Sequence, residues 1–147
     1  MIHMKTFLLV CCWLFSACAG AREVDTVLIV SIDALHPAAL SKQASPNLDR
    51  LMRSGHYTLQ GHSVSPPQTL IAHTALMTGL KPAQSGKQDN DWKPGMAQVK
   101  HETLLDFAKQ RGYQTAYFFA KLKLGYLVSA SVDEHALARD DGVDQIG

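Results

Sequence analysis

Hydrophobic and polar residues follow two patterns along this chain, one typical of buried strands and the other of helices. Residues 24–33 are largely apolar and β-branched and end at Asp33, which predicts a central, parallel strand covered on both faces. Residues 114–120 predict a second apolar strand, and the weak alternation of residues 57–64 predicts an irregular one. The Pro-Pro pair after Ser65 would end the irregular strand, because proline cannot donate to a ladder.

Three further segments have the spacing of helices. Residues 45–55 begin with Ser-Pro, place apolar residues three and four positions apart and end on glycine. Residues 70–79 and 102–112 show helical periodicity and also end on glycine. Residues 81–100, rich in Pro, Gly, Asn and Asp, predict a long loop with a function of its own. Strands and helices in this order predict an α/β fold.

Residues 1–20 have the composition of an export signal and are set apart from the fold. Lys5 precedes the apolar residues 6–15, a run shorter than the about 20 residues that span a membrane. The small residues on either side of Cys18 suit a signal peptidase, while residues 15–18 resemble a lipobox in which Cys18 would carry a lipid that attaches the chain to a membrane. Both routes stay open. We expect an exported protein, periplasmic or lipid-anchored to the bacterial envelope.

Composition and charge narrow the classes of function. The chain has 147 residues, is 46% hydrophobic and has a formal net charge of +1. A net charge this close to zero offers no electrostatic attraction for nucleic acid, and a hydrophobic fraction this high is not typical of a disordered protein. All three cysteines lie within residues 1–20, so the rest of the chain forms no disulfide with itself.

Two side chains lie where α/β proteins gather ligands. Asp33 ends the first predicted strand, where a carboxylate either binds a cation or caps a loop. Thr69 begins the second predicted helix, where unpaired N–H groups and the helix dipole favour a phosphate or sulfate; a plain N-cap is the alternative. Because a threonine hydroxyl is a weak nucleophile until it loses its proton, the pair Asp33 and Thr69 suggests activation by a divalent cation.

Three blocks of sequence, taken together, resemble the N-terminal part of one enzyme family. Residues 27–33, 45–51 and 67–82 resemble, in order and separation, the type I phosphodiesterase/nucleotide pyrophosphatase branch of the alkaline phosphatase superfamily. The resemblance implies that residues 24–147 are a partial catalytic domain. Its fold would be the N-terminal portion of an alkaline-phosphatase-like mixed, mainly parallel sheet flanked by helices.

The same resemblance implies roles for three residues. Asp33 would bind a metal, Thr69 would be the nucleophile and bridge toward the metals, and Asn90 would hold a phosphate oxygen. The cofactors would be two divalent metal ions, with zinc favoured and manganese open. The substrate would be a small-molecule phosphoester. Ala72 and Ser85 replace an asparagine and a histidine that many relatives have, so the choice between diester and monoester, and among nucleotide, lipid and sugar, stays open.

Several alternatives remain at this point. The family collects its metal ligands from a much longer chain, so we expect a truncated product that is inactive alone. A different class is a small exported phosphate-binding or anchoring protein without catalysis. A sulfatase-like hydrolase is weaker, because Thr69 stands where that branch has arginine, and a flavodoxin-like domain lacks its phosphate-binding run after the first strand. We interpret residues 133–135 as a surface or helix-start cluster, and the oligomeric state stays open.

Overall fold

The computed structural model describes residues 25–40 and 44–138. The chain divides between Leu35 and His36 into two units. The predicted export segment, residues 1–20 with Cys18, lies outside the described residues.

The first apolar segment is not a strand in the structure. Residues 25–32 have no regular secondary structure, and Asp33 and Ala34 form a turn in which Ala34 has φ 61°. The apolar side chains are exposed, with Leu28 at 82%. The prediction of a central strand over residues 24–33 is therefore wrong for the described part. A central strand needs a neighbouring strand on each edge, and the two strands that the described residues form pair with each other.

Periodicity and capping residues predict most of the helices. The described residues form α1 (Pro46–Ser54), α2 (Thr69–Thr78), α3 (Pro82–Ser85) and α4 (Leu104–Gln110), with a 3-10 helix η1 at Pro37–Ala39. Helix α2 ends at Gly79 with φ 70°, a left-handed conformation that glycine adopts without strain. Helix α3 is a single turn inside the predicted long loop. None of the helices in the described ranges is long and apolar enough to cross a membrane.

Two short parallel strands form the sheet of the second unit. Strands β1 (Ala116–Phe119) and β2 (Glu134–Leu137) pair with Ala116 opposite Glu134. The crossover that parallel pairing requires contains a 3-10 helix, η2 (Leu122–Leu127). Helices with a small parallel sheet are compatible with the predicted α/β class.

The sequence patterns predicted strand β1 but not the secondary structure of two other segments. The strand expected within residues 114–120 is confirmed as β1, whereas residues 57–64 form no strand. Residues 133–135 are exposed, as expected, but they begin a strand and not a helix. The Asp133 carboxylate accepts hydrogen bonds from the backbone N–H of Thr115 at 2.8 Å and from the Lys109 ammonium. Asp133 therefore fixes the start of the β1–β2 pair.

A hydrophobic core joins α2 to η2. It consists of Leu70, Met77, Leu124, Tyr126 and Leu127, with Trp92, Val99, Leu105, Tyr117 and Phe119 packed at its edge. Gly125 in η2 lets the Trp92 ring approach closely, because a Cβ atom at Gly125 would lie 2.7 Å from Trp92 Cζ3. Trp92 follows the predicted loop residue Asn90, so this packing ties that loop to the core.

A capping network fixes the start of α4. The Asp106 carboxylate accepts hydrogen bonds from the N–H and hydroxyl of Thr103, both at 2.6 Å, and from the Ser129 hydroxyl at 2.9 Å. Burial alone would raise the pKa of the Asp106 carboxyl, but hydrogen bonds from Thr103, Ser131 and Ser129 outweigh it and lower the pKa to about 2. Asp106 therefore joins the helix start to the segment that leads into β2.

We expect Gly125→Ala to destabilise the fold by about 1–3 kcal/mol, because the added methyl group overlaps the Trp92 ring. Urea unfolding measures the loss. Gly61→Ala is the matched control, since nothing lies within 4 Å of a Cβ atom there. Equal unfolding midpoints for the two variants would contradict the close packing at Gly125.

We expect Asp106→Asn to lower the free energy of unfolding at pH 7 by about 1–2 kcal/mol. The folded pKa lies below the unfolded value of about 3.9, so this stability is present above that value and is lost as the pH falls toward 2. Urea unfolding from pH 7 to pH 2.5 should show the two proteins converging as the pH falls. A constant difference would disagree with the lowered pKa.

Candidate active site

Thr69 is the first residue of α2. The residue before it, Gln68, takes the N-cap position with an extended backbone at φ −95° and makes no capping hydrogen bond through its side chain. The interpretation of Thr69 as a plain N-cap is therefore wrong. The next two residues, Leu70 and Ile71, are 0% and 1% exposed, so the core holds this end of the helix in place. Thr69 itself is half-buried.

The side chain of Asn90 lies at the start of the same helix. Its Oδ1 accepts a hydrogen bond from the backbone N–H of Leu70 at 2.9 Å. The first-turn N–H groups of a helix have no partner within the helix, so Asn90 supplies one from 20 residues further along the chain. Because Oδ1 faces the backbone donor, the amide nitrogen of Asn90 is the group that can donate to an anion beside Thr69.

His73 lies one helical turn after Thr69. Its Nδ1 is 2.7 Å from the carbonyl oxygen of Thr69. A carbonyl oxygen only accepts hydrogen bonds, so Nδ1 is the donor in this contact. This contact orients the imidazole against the first turn of α2.

Lys87 is a buried residue that sequence reasoning missed. It is 7% exposed, and its Nζ donates to Asp89 Oδ1 at 2.9 Å and to the carbonyl oxygen of Asp91 at 2.7 Å. The hydrogen bond from Lys87 is the largest cause that lowers the pKa of the Asp89 carboxyl. A lysine in a polar loop is normally solvated. The only sequence signal was an oppositely charged residue two positions later, which is too common to single out Lys87.

Asp33 lies in the unit that ends at Leu35, in the turn after the apolar segment, and is exposed. Asp33 and Thr69 provide oxygen donors of a kind that divalent cations accept. Within residues 25–40 and 44–138, however, no three histidine, cysteine, aspartate or glutamate side chains come together as ligands for a metal ion. These residues alone therefore do not fit a complete metal centre.

Comparison with known families identifies the family of this chain. A sequence profile described as type I phosphodiesterase / nucleotide pyrophosphatase matches residues 27–124, about two thirds of the chain. The chain belongs to the type I phosphodiesterase / nucleotide pyrophosphatase family. No curated protein and no solved structure gives a significant match. Membership in this family confirms the resemblance drawn from the three sequence blocks.

The matched segment of this family member contains Asp33, Thr69 and Asn90. Membership implies a phosphoester hydrolase that acts on a small-molecule phosphoester, in a family that is generally metal-dependent. Of the three residues, the structure brings the Asn90 side chain to the helix that begins with Thr69.

We expect Asn90→Ala to lower the free energy of unfolding by about 1 kcal/mol, because it leaves the Leu70 N–H without its acceptor. Gln88→Ala, an exposed substitution in the same loop, is the control and should change stability by less than about 0.5 kcal/mol. Urea unfolding of both variants measures the difference. Equal stabilities would show that the Asn90 contact does not support the helix start.

Proposed function

We propose that this chain carries the nucleophile-bearing part of an exported, metal-dependent phosphoester hydrolase, with Thr69 as nucleophile. One observation carries the proposal: the hydrogen bond from Leu70 to Asn90 brings a phosphate-binding type of side chain to the helix whose first residue is Thr69. Both residues lie in the segment that the family profile matches. An alkaline-phosphatase-like sheet is the fold that we propose for the complete domain.

The proposed reaction has two steps. The Oγ1 atom of Thr69 loses its proton and bonds to phosphorus, while the ester oxygen leaves with the bonding electrons and gains a proton. Water then hydrolyses the phosphothreonine and releases the phosphate. The Leu70 N–H already donates to Asn90 Oδ1, so the positive end of the α2 dipole and the amide nitrogen of Asn90 would hold the non-bridging oxygens, where negative charge accumulates in the transition state.

We propose that Asp33 is one ligand of a pair of divalent cations, with zinc the expected metal. When bound, such a cation lowers the pKa of a hydroxyl group and offsets the charge of the phosphoryl group. The described residues hold no group of three metal ligands, so Asp33 would share the cations with ligands outside the described ranges. We propose that turnover needs those further ligands as well.

Export is part of the proposal. Residues 1–20 would direct the chain across the inner membrane, and Cys18 would carry a lipid if the lipobox is used. Expression in a bacterial host with and without globomycin tests the lipobox. A size shift of the chain that depends on globomycin and is absent from Cys18→Ser would support lipidation. Periplasmic recovery with no such shift would support plain cleavage.

The alternative is a phosphate-binding protein without catalysis. The observation that favours it is the Asn90 side chain at the start of α2, in a part of the chain where the described residues bring no three metal ligands together. It predicts binding of phosphoryl anions that needs no metal, whereas the hydrolase predicts binding that zinc strengthens.

Titration with phenylphosphonate, a phosphoryl anion that cannot be hydrolysed, separates the two functions. We expect zinc to tighten binding by about tenfold or more, read from the NMR signals of the Leu70 amide and the Asn90 side-chain amide. Asp33→Asn should remove the zinc effect and leave metal-free binding unchanged. Binding that is indifferent to zinc would favour the binding protein, and no response at either signal would contradict both.

Hydrolysis assays test the role of Thr69. Any zinc-dependent release of nitrophenol from bis(p-nitrophenyl) phosphate should fall at least about a hundredfold in Thr69→Ala, because the nucleophile is lost. Thr69→Ser keeps the hydroxyl and should retain activity. Turnover that survives in Thr69→Ala would contradict the proposed nucleophile, and faster turnover of p-nitrophenyl sulfate would favour the sulfatase-like alternative.

A further inference from the structure

We propose that Lys87 is a positioning residue for Asn90: its buried ammonium group holds the turn that presents the Asn90 side chain to the start of α2. This inference rests on the proposed function, because it gives Lys87 a part in building the phosphate-binding end of that helix.

Lys87 is a buried cation with several partners. It is 7% exposed, and lysine is almost never so buried unless its charge is paired. Its Nζ donates to Asp89 Oδ1 at 2.9 Å and to the carbonyl oxygen of Asp91 at 2.7 Å. The same nitrogen lies 4.8 Å from the centre of the Tyr126 ring, within range of a cation–π interaction.

These contacts fall on both sides of Asn90. Asp89 precedes it and Asp91 follows it, and the backbone N–H of Asp91 also donates to Asp89 Oδ1 at 3.0 Å. One carboxylate oxygen thus binds the ammonium group and the backbone together. With the residues before and after it held to Lys87, Asn90 has little freedom to move away from the Leu70 N–H.

Lys87 also connects the turn to the core. Tyr126 belongs to η2 and is part of the hydrophobic cluster that contains Leu70. The ammonium group therefore joins the loop that carries Asn90 to the core that fixes the first turn of α2. Catalytic groups need this kind of support, because a displacement of about 1 Å can cost about a hundredfold in rate.

The charge of Lys87 has a second effect on the site. Asp89 is the residue next to Asn90, and its carboxylate would repel a phosphoryl anion at the start of α2. The ammonium group of Lys87 binds that carboxylate directly. An apolar residue of the same length would fill the space but leave the Asp91 carbonyl oxygen without its donor and the charge of Asp89 without its partner.

Hydrogen exchange tests the positioning role without requiring activity. We expect Lys87→Met, which keeps an unbranched side chain only one heavy atom shorter, to lower the protection of the Leu70 amide by about tenfold or more. The Ala138 amide, which bonds to the Phe119 carbonyl oxygen at 2.8 Å, should keep its protection and shows that the fold is intact. The matched control is Lys93→Met, an exposed lysine of the same loop, which should change neither amide.

Further variants keep the test decisive. Lys87→Arg retains a cation and its donors and should preserve part of the protection. Unchanged Leu70 protection in Lys87→Met would overturn the proposal. If that variant also loses the protection of Ala138, Asp89→Asn decides, because it weakens the acceptor while Lys87 stays in place. Lower Leu70 protection in Asp89→Asn would support the role of Lys87, and unchanged protection would overturn it.

Phenylphosphonate binding in the presence of zinc separates this inference from the proposed function. If both hold, Lys87→Met and Asn90→Ala each weaken binding by about tenfold, and the double variant binds no more weakly than either single one. Normal binding by Lys87→Met would overturn the positioning role and leave the proposed function in place. If the wild-type chain does not bind, the proposed function fails, and hydrogen exchange still decides whether Lys87 positions Asn90.

Discussion

The hydrogen bond between the Leu70 N–H and Asn90 Oδ1 is the interaction on which the arrangement of the candidate site depends. It joins the start of a helix to a polar loop 20 residues further along the chain. A first-turn N–H group needs a partner from outside its helix, and here that partner is a residue that can also hold a phosphate oxygen. One contact therefore serves both the folding of α2 and the proposed binding of substrate.

This contact depends in turn on how the loop is held. Trp92 packs over Gly125, where any side chain would collide with the ring, and Lys87 binds the turn around Asn90 from within. An aromatic ring and a buried cation thus hold the loop from different sides. Both supports keep the Asn90 side chain beside the start of α2.

The sequence patterns predicted the elements that neighbouring residues determine. They failed for features that depend on contacts between residues far apart in the chain. Helices α1, α2 and α4 have helical periodicity and a glycine after the last turn, and their positions followed from those residues. The strand expected at residues 24–33 needs neighbours that periodicity does not identify, and the described residues do not provide them. Thr69 was singled out by its place at a predicted helix start and Asn90 by family resemblance, and no local pattern could show that their segments meet. Lys87 stayed hidden because its burial depends on Tyr126, which lies far away along the chain.

The exposed apolar segment has a consequence for handling the protein in solution. The uncharged run at residues 27–30 has high strand propensity and lies between Asp25 and Asp33. Such a run can add to the same run of another copy through backbone hydrogen bonds. In a parallel, in-register stack the flanking carboxylates of neighbouring copies would repel one another, and salt screens that repulsion. Colloidal stability should therefore be higher in dilute buffer than at high ionic strength. Charge pairing between copies would give the opposite dependence on salt.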